Sequence, residues 1–115
     1  MMQAGQVVLF RFPQTDLAEG KLRPALLLGR LPGEYNDWLL CMISSQIQQR
    51  VADFDEVIDM RDADYAESGL KAPSVLRIGR LAVVDSEIIV GAVGQVAPGR
   101  LAGIRRRLAD WLVAA

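Results

Sequence analysis

The sequence predicts a mainly β (α+β) fold, with about five to seven short strands curled into a small barrel-like sheet and one amphipathic helix at the C-terminal end. Three observations carry that prediction. Apolar residues come in short runs or strict alternation up to Val96, turn-forming Gly, Pro, Asn and Asp separate those runs, and a helical spacing appears only after Pro98. With 115 residues the chain is one domain, 1–115.

The elements follow in order. "GQVVLFRF" (5–12) sets Val8, Phe10 and Phe12 against Val7, Leu9 and Arg11, the two-residue period of a first strand. The polar, aperiodic stretch 13–22 reads as a loop. Pro24 restricts Arg23 to extended backbone and starts an inner strand, 24–29, with Arg23 at its mouth. Pro32-Gly33 and Asn36-Asp37 make a turn, and "WLLCMI" (38–43) is a third, buried strand. Ser44 and Ser45 would face opposite sides if that strand ran through them. "DFDEVIDM" (53–60) alternates as a fourth strand with Asp53, Asp55 and Asp59 outward, and 61–73 is a loop with one helical turn. Arg77, Gly79 and Arg80 interrupt "SVLRIGRLAVVD" (74–85), so that strand is bent or bulged. Residues 87–96 continue the sheet. Leu101, Ile104, Leu108, Trp111 and Leu112 then mark one face of a helix.

Composition narrows the chemistry. The chain has no histidine and one cysteine, Cys41, which excludes His-assisted nucleophiles, intramolecular disulfides and multi-cysteine metal sites. No apolar run reaches the roughly 18 residues a membrane span needs, and no basic region precedes the first apolar run, so a soluble, cytoplasmic protein is expected. The net charge of −1 conceals segregation: seven of the fourteen acids lie between Asp53 and Glu67 beside the single base Arg61, leaving twelve bases against seven acids elsewhere. Eleven of the thirteen bases are arginine, whose planar fork suits phosphate.

Several groups stand out as candidates, each with a plainer alternative. The outward aspartates could hold a hard cation but more simply solvate a strand, and no metal site is assigned. Arg105, Arg106 and Arg107 fan around a helix at about 100° per residue, form no single patch and read as a solvated face. The serines need a base, and Lys21 and Lys71 are the only lysines for a Ser-Lys hydrolase; turn hydrogen bonds are the simpler role. Arg23 is either a rigidly mounted anion-binding group or half of a salt bridge to Asp16 or Glu19.

"GQVVLFRFP", "KLRPALLL", "LCMISSQIQ" and "LKAPSVLRIGRLAVVD" together resemble, in order and spacing, the MazF/PemK-like toxins of toxin–antitoxin systems. The resemblance implies an SH3-like barrel with a C-terminal helix, a homodimer, an antitoxin partner, and metal-independent, sequence-specific cleavage of single-stranded RNA that uses no cofactor. It places the catalytic arginine on Arg23 and the catalytic hydroxyl on Ser44, a serine where the family has threonine. Asp16, Glu19, Lys21, Ser45, Gln46, Arg77 and Arg80 are the further candidates for catalysis or substrate binding; Tyr35 or Trp38 could be stacking platforms, with ordinary burial the plainer role for both and the preferred one for Trp38. Glu19 is only a rough counterpart of an acid the family carries, and Gly79-Arg80 replaces an acidic or amide pair of some members. The competing expectation is a barrel that has lost catalysis and serves as a nucleic-acid or protein binding module.

Overall fold

In the computed structural model, which describes residues 2–11 and 22–115, six strands form one sheet in the order β4-β5-β3-β2-β1-β6. The strands are β1 (Gln6–Arg11), β2 (Leu22–Arg30), β3 (Asp37–Ser44), β4 (Glu56–Ile58), β5 (Ser74–Asp85) and β6 (Ile89–Gln95). One helical turn, α1 (Tyr65–Ser68), interrupts the chain after β4, and α2 (Pro98–Ala114) ends it. Every strand pair is antiparallel. β4 and β6 are the two edges and do not bond to each other, so the sheet curls like a barrel without closing.

The alternation seen in sequence sorts the core into two clusters. Val7, Leu26, Leu28, Cys41, Ile43, Leu76 and Ile78 pack against Ile104 and Leu108 of α2. The intervening residues Val8, Phe10, Ala25, Leu27, Trp38 and Leu40 form the second cluster on the other face. Both faces of β1–β3 are therefore buried, as curling requires.

Register shifts shape the sheet in three of its strand pairs, β1–β6, β2–β3 and β3–β5. Between Cys41, which pairs with Leu81, and Met42, which pairs with Arg77, β5 carries three extra residues, Ile78, Gly79 and Arg80, where the sequence predicted a bend. In β2 the register slips between Leu27 and Gly29, and the Leu28 carbonyl accepts a 2.8 Å bond from Arg105 Nε.

The predicted strand 53–60 is the main correction. Only Glu56–Ile58 is a strand. Residues 51–55 close into a turn in which the Asp55 amide donates to Val51 O at 2.9 Å and the Val51 amide donates to Asp55 Oδ2 at 3.0 Å. Asp53 takes left-handed backbone at φ 63°, Asp55 is buried, and Asp59 binds Arg61, so these three aspartates share no face. Nor are the arginines of α2 simply solvated. Arg105 reaches β2, Arg107 donates to Phe54 O at 2.8 Å, and Arg106 is exposed.

Ala97, the N-cap of α2, has no side chain with which to cap. Asp64 serves from a distance: its Oδ2 accepts from the Ala97 amide at 2.9 Å and from Arg100 Nε at 2.8 Å. Arg100 also bonds Glu56 at 2.8 Å and lies 3.5 Å from Asp62, so much of the acidic segment is structural.

Candidate active site

Arg23 and Ser44 come from neighbouring strands at the centre of the sheet. Ala25 pairs with Met42 at the end of the β2–β3 ladder, and Arg23 and Ser44 lie two residues beyond that pair on their strands. β2 starts at Leu22, slightly before the predicted boundary. Arg23 pairs with Phe10 in the ladder and is exposed, and its side chain makes no hydrogen bond or ion pair with another described residue. The second core cluster lies behind it in the same strand rows and fixes its backbone.

Ser44 ends β3, after which the chain bends at Ser45 and enters a short 3-10 turn, Ile47–Gln49. The Gln46 amide donates to Ser44 Oγ at 3.0 Å, the turn bond expected of a serine in this place. That bond uses one acceptor position of the hydroxyl and leaves its proton free to be donated.

Arg23, Pro24, Ile43 and Ser44 stand where two grooves meet. The first, about 400 Å³, is completed by Met42, Gln49, Arg77 and Arg80. The second, about 570 Å³, runs past Ser45, Gln46, Leu70 and Lys71. The structure thus brings Arg23, Ser44, Ser45, Gln46, Arg77 and Arg80 to two adjoining grooves. Asp16, Glu19 and Lys21 lie outside the described residues. Tyr35 and Trp38 line neither groove; Tyr35 is exposed in the β2–β3 turn, and Trp38 is buried with its Nε1 donating to Asn36 Oδ1 at 3.2 Å.

Arg77 is held from two sides. Its Nη1 donates to Gln49 Oε1 at 3.0 Å, and its Nε lies 3.4 Å from Asp55 Oδ2. The Nε–H is buried but not aligned for a hydrogen bond with that carboxylate. Gln49 and Asp55 were not foreseen as parts of the site. No local pattern marks them, because their partner Arg77 is distant in sequence. Among the described residues no group of three or more His, Cys, Asp or Glu side chains could hold a metal ion.

Fold and groove together define a small curled-sheet protein with an arginine-rich depression across its central strands. The chain belongs to the PemK-like, MazF-like toxins of type II toxin–antitoxin systems, whose family model matches residues 3–112. Among solved structures it is similar to the Mycobacterium tuberculosis toxin MazF-mt6, at 17% identity and a TM-score of 0.66, over 91% of this chain and 93% of that one. At that identity the likeness shows the fold. No curated protein matches the chain. Among the described residues no helix is long and apolar enough to cross a membrane.

Proposed function

We propose that this toxin is a metal-independent endoribonuclease that cleaves single-stranded RNA through the substrate's own 2′-hydroxyl. The observation that carries this is the meeting of the Arg23 guanidinium, which has no partner among the described residues, with the Ser44 hydroxyl at the junction of two grooves that hold cationic side chains. The 2′-oxygen attacks the adjacent phosphorus, the P–O5′ bond breaks, and the products are a 2′,3′-cyclic phosphate and a 5′-hydroxyl. Arg23 offsets the charge that builds on the phosphorane, and Ser44 donates to one of its oxygens. An arginine stays charged and shuttles protons poorly, so Asp16 and Glu19 are the leading candidates for proton transfer, with Arg80 a weaker one. Arg77 and Arg80 on one side, and Lys71 with Gln46 on the other, hold the flanking nucleotides.

Incubation with a long RNA of varied sequence in EDTA tests this. The wild type should give discrete fragments. Arg23→Ala should cut about 100- to 1,000-fold more slowly, the usual cost of losing a transition-state donor, and Ser44→Ala should lose less. Identical fragments at equal rates from wild type and Arg23→Ala would sink the assignment. Tight, salt-sensitive RNA binding by a wild type that cuts nothing would make the protein a binding module instead.

The family also implies an antitoxin and a homodimer. An exposed apolar strip supports a self-association face: Leu112 and Val113 at the end of α2 are 60% and 88% exposed, and Val83 on β5, itself exposed, pairs with Leu39 beside Leu112.

A further inference from the structure

The β5 bulge takes Ile78 out of the β3 ladder and leaves a buried amide in need of an acceptor. Asp55 Oδ1 supplies it at 2.9 Å. The other oxygen, Oδ2, accepts from the Val51 amide at 3.0 Å and lies 3.4 Å from Arg77 Nε. Both oxygens are thus fixed by backbone, and the Asp55 side chain is only 2% exposed. A buried carboxylate so anchored cannot move toward the arginine. The arginine is held to it.

Two backbone amides occupy two of the roughly four acceptor positions of the Asp55 carboxylate, and the Arg77 guanidinium faces what remains. Arg77 is not consumed by the pairing, since its Nε–H is not aligned with the carboxylate. The far end of the fork meets Gln49 through Nη1, while Nη2 has no partner among the described residues. The guanidinium is therefore braced at its base and presented at its tip into the groove that holds Arg23 and Ser44.

We propose that Asp55 is a positioning residue that fixes the Arg77 guanidinium in the RNA groove, so that its Nη2 is held where it meets a phosphate of the reacting strand. This rests on the groove being the RNA site. Because Asp55 also offsets part of the Arg77 charge, neutralising it leaves attraction for RNA intact or stronger while the geometry loosens.

The test is Asp55→Asn, whose amide oxygen still accepts from one of the two backbone donors. Cleavage should fall about tenfold, while affinity for an uncleavable 2′-O-methyl RNA stays equal or tightens. In an Arg77→Ala background the same substitution should cost nothing further, because nothing is left to position. Equal losses in both backgrounds, or weakened binding that parallels weakened cleavage, would mean a structural role and overturn the proposal. Arg77→Lys keeps the charge and removes the braced fork. Should Asp55→Asn melt, the lysine variant must show the same pattern of slowed cleavage and retained binding; unchanged cleavage overturns the proposal. A wild type that neither cuts nor binds RNA refutes the reading of the groove separately. The Arg77 Nε–H resonance then decides the positioning: it should be sharp and slow to exchange in the wild type and averaged with exposed arginines in Asp55→Asn, and identical spectra overturn it.

Discussion

Asp64 gives up its proton more readily than a free aspartate, chiefly because Arg100 donates to it and secondarily through the Ala97 amide, against the opposing effect of partial burial. Its folded pKa is below its unfolded one, so its contribution to stability is complete above the ordinary value of about 4 and is lost as pH falls through the folded pKa. Asp64→Asn should therefore cost about 1–3 kcal/mol at neutral pH, the worth of hydrogen bonds to a buried charge. Urea unfolding at pH 7 and near pH 3 should show that gap from the wild type closing in acid. Cys41 shifts the other way. Burial, helped by the negative charge of Asp55, pushes its thiol up to about 12. An unfolded thiol ionises near ~8.5, so stability from this residue is complete below that pH and declines as pH rises toward the folded value. The thiol should resist a disulfide reagent at neutral pH in the native protein and react at once in denaturant. Prompt labelling of the native form would show that the core around Cys41 opens.

At the scale of elements, α1 and β6 lie so close that a side chain cannot fit between them. A Cβ on Gly69, which takes left-handed backbone at φ 73° as the C-cap of α1, would collide with the Val93 carbonyl. Gly69→Ala should cost about 1–3 kcal/mol, as overpacking does. Gly99 is the contrasting case. It stands in the first turn of α2 with open space around its Cα, so Gly99→Ala should be neutral or stabilise by up to about 1 kcal/mol. Thermal melts of the two variants should shift in opposite directions or leave Gly99→Ala at the wild-type value. The end of the sheet that these glycines shape also shows where sequence stops being informative. β1 and α2 were legible because burying one face demands a period of two or of 3.6 residues, and β2 and β3 because strands buried on both faces read as apolar runs between turn residues. "DFDEVIDM" has a strand's alternation, yet Asp55 turns inward to meet the Ile78 amide, a partner 23 residues away. Alternation reports a local pattern, and only the fold reveals such a bond.

For the molecule as a whole, exposed apolar residues occur in several places, among them the end of α2 (Trp111, Leu112, Val113) and the outer part of β5 (Leu81, Val83). If two copies meet at the end of α2, Leu112→Asp should yield a species of half the wild-type mass in size-exclusion chromatography with light scattering. A wild type already at monomer mass would remove that face from consideration. The candidate site was partly legible too. Arg23 and Ser44 emerged from the resemblance because the Arg-Pro and Ile-Ser segments are contiguous motifs, and Arg77 and Arg80 from the interrupted strand. Gln49 and Asp55 were not legible, since what places them is the β5 bulge. That bulge has a consequence in time. A ribosome delivers β2 and β3, with Arg23 and Ser44, well before β5, and the first groove has no second wall until Arg77 and Arg80 have emerged and β5 has docked beside β3. The shorter strand pair made by then lacks its neighbour on that side. The groove therefore waits for β5, and no prefix of the polypeptide that ends before it carries both walls.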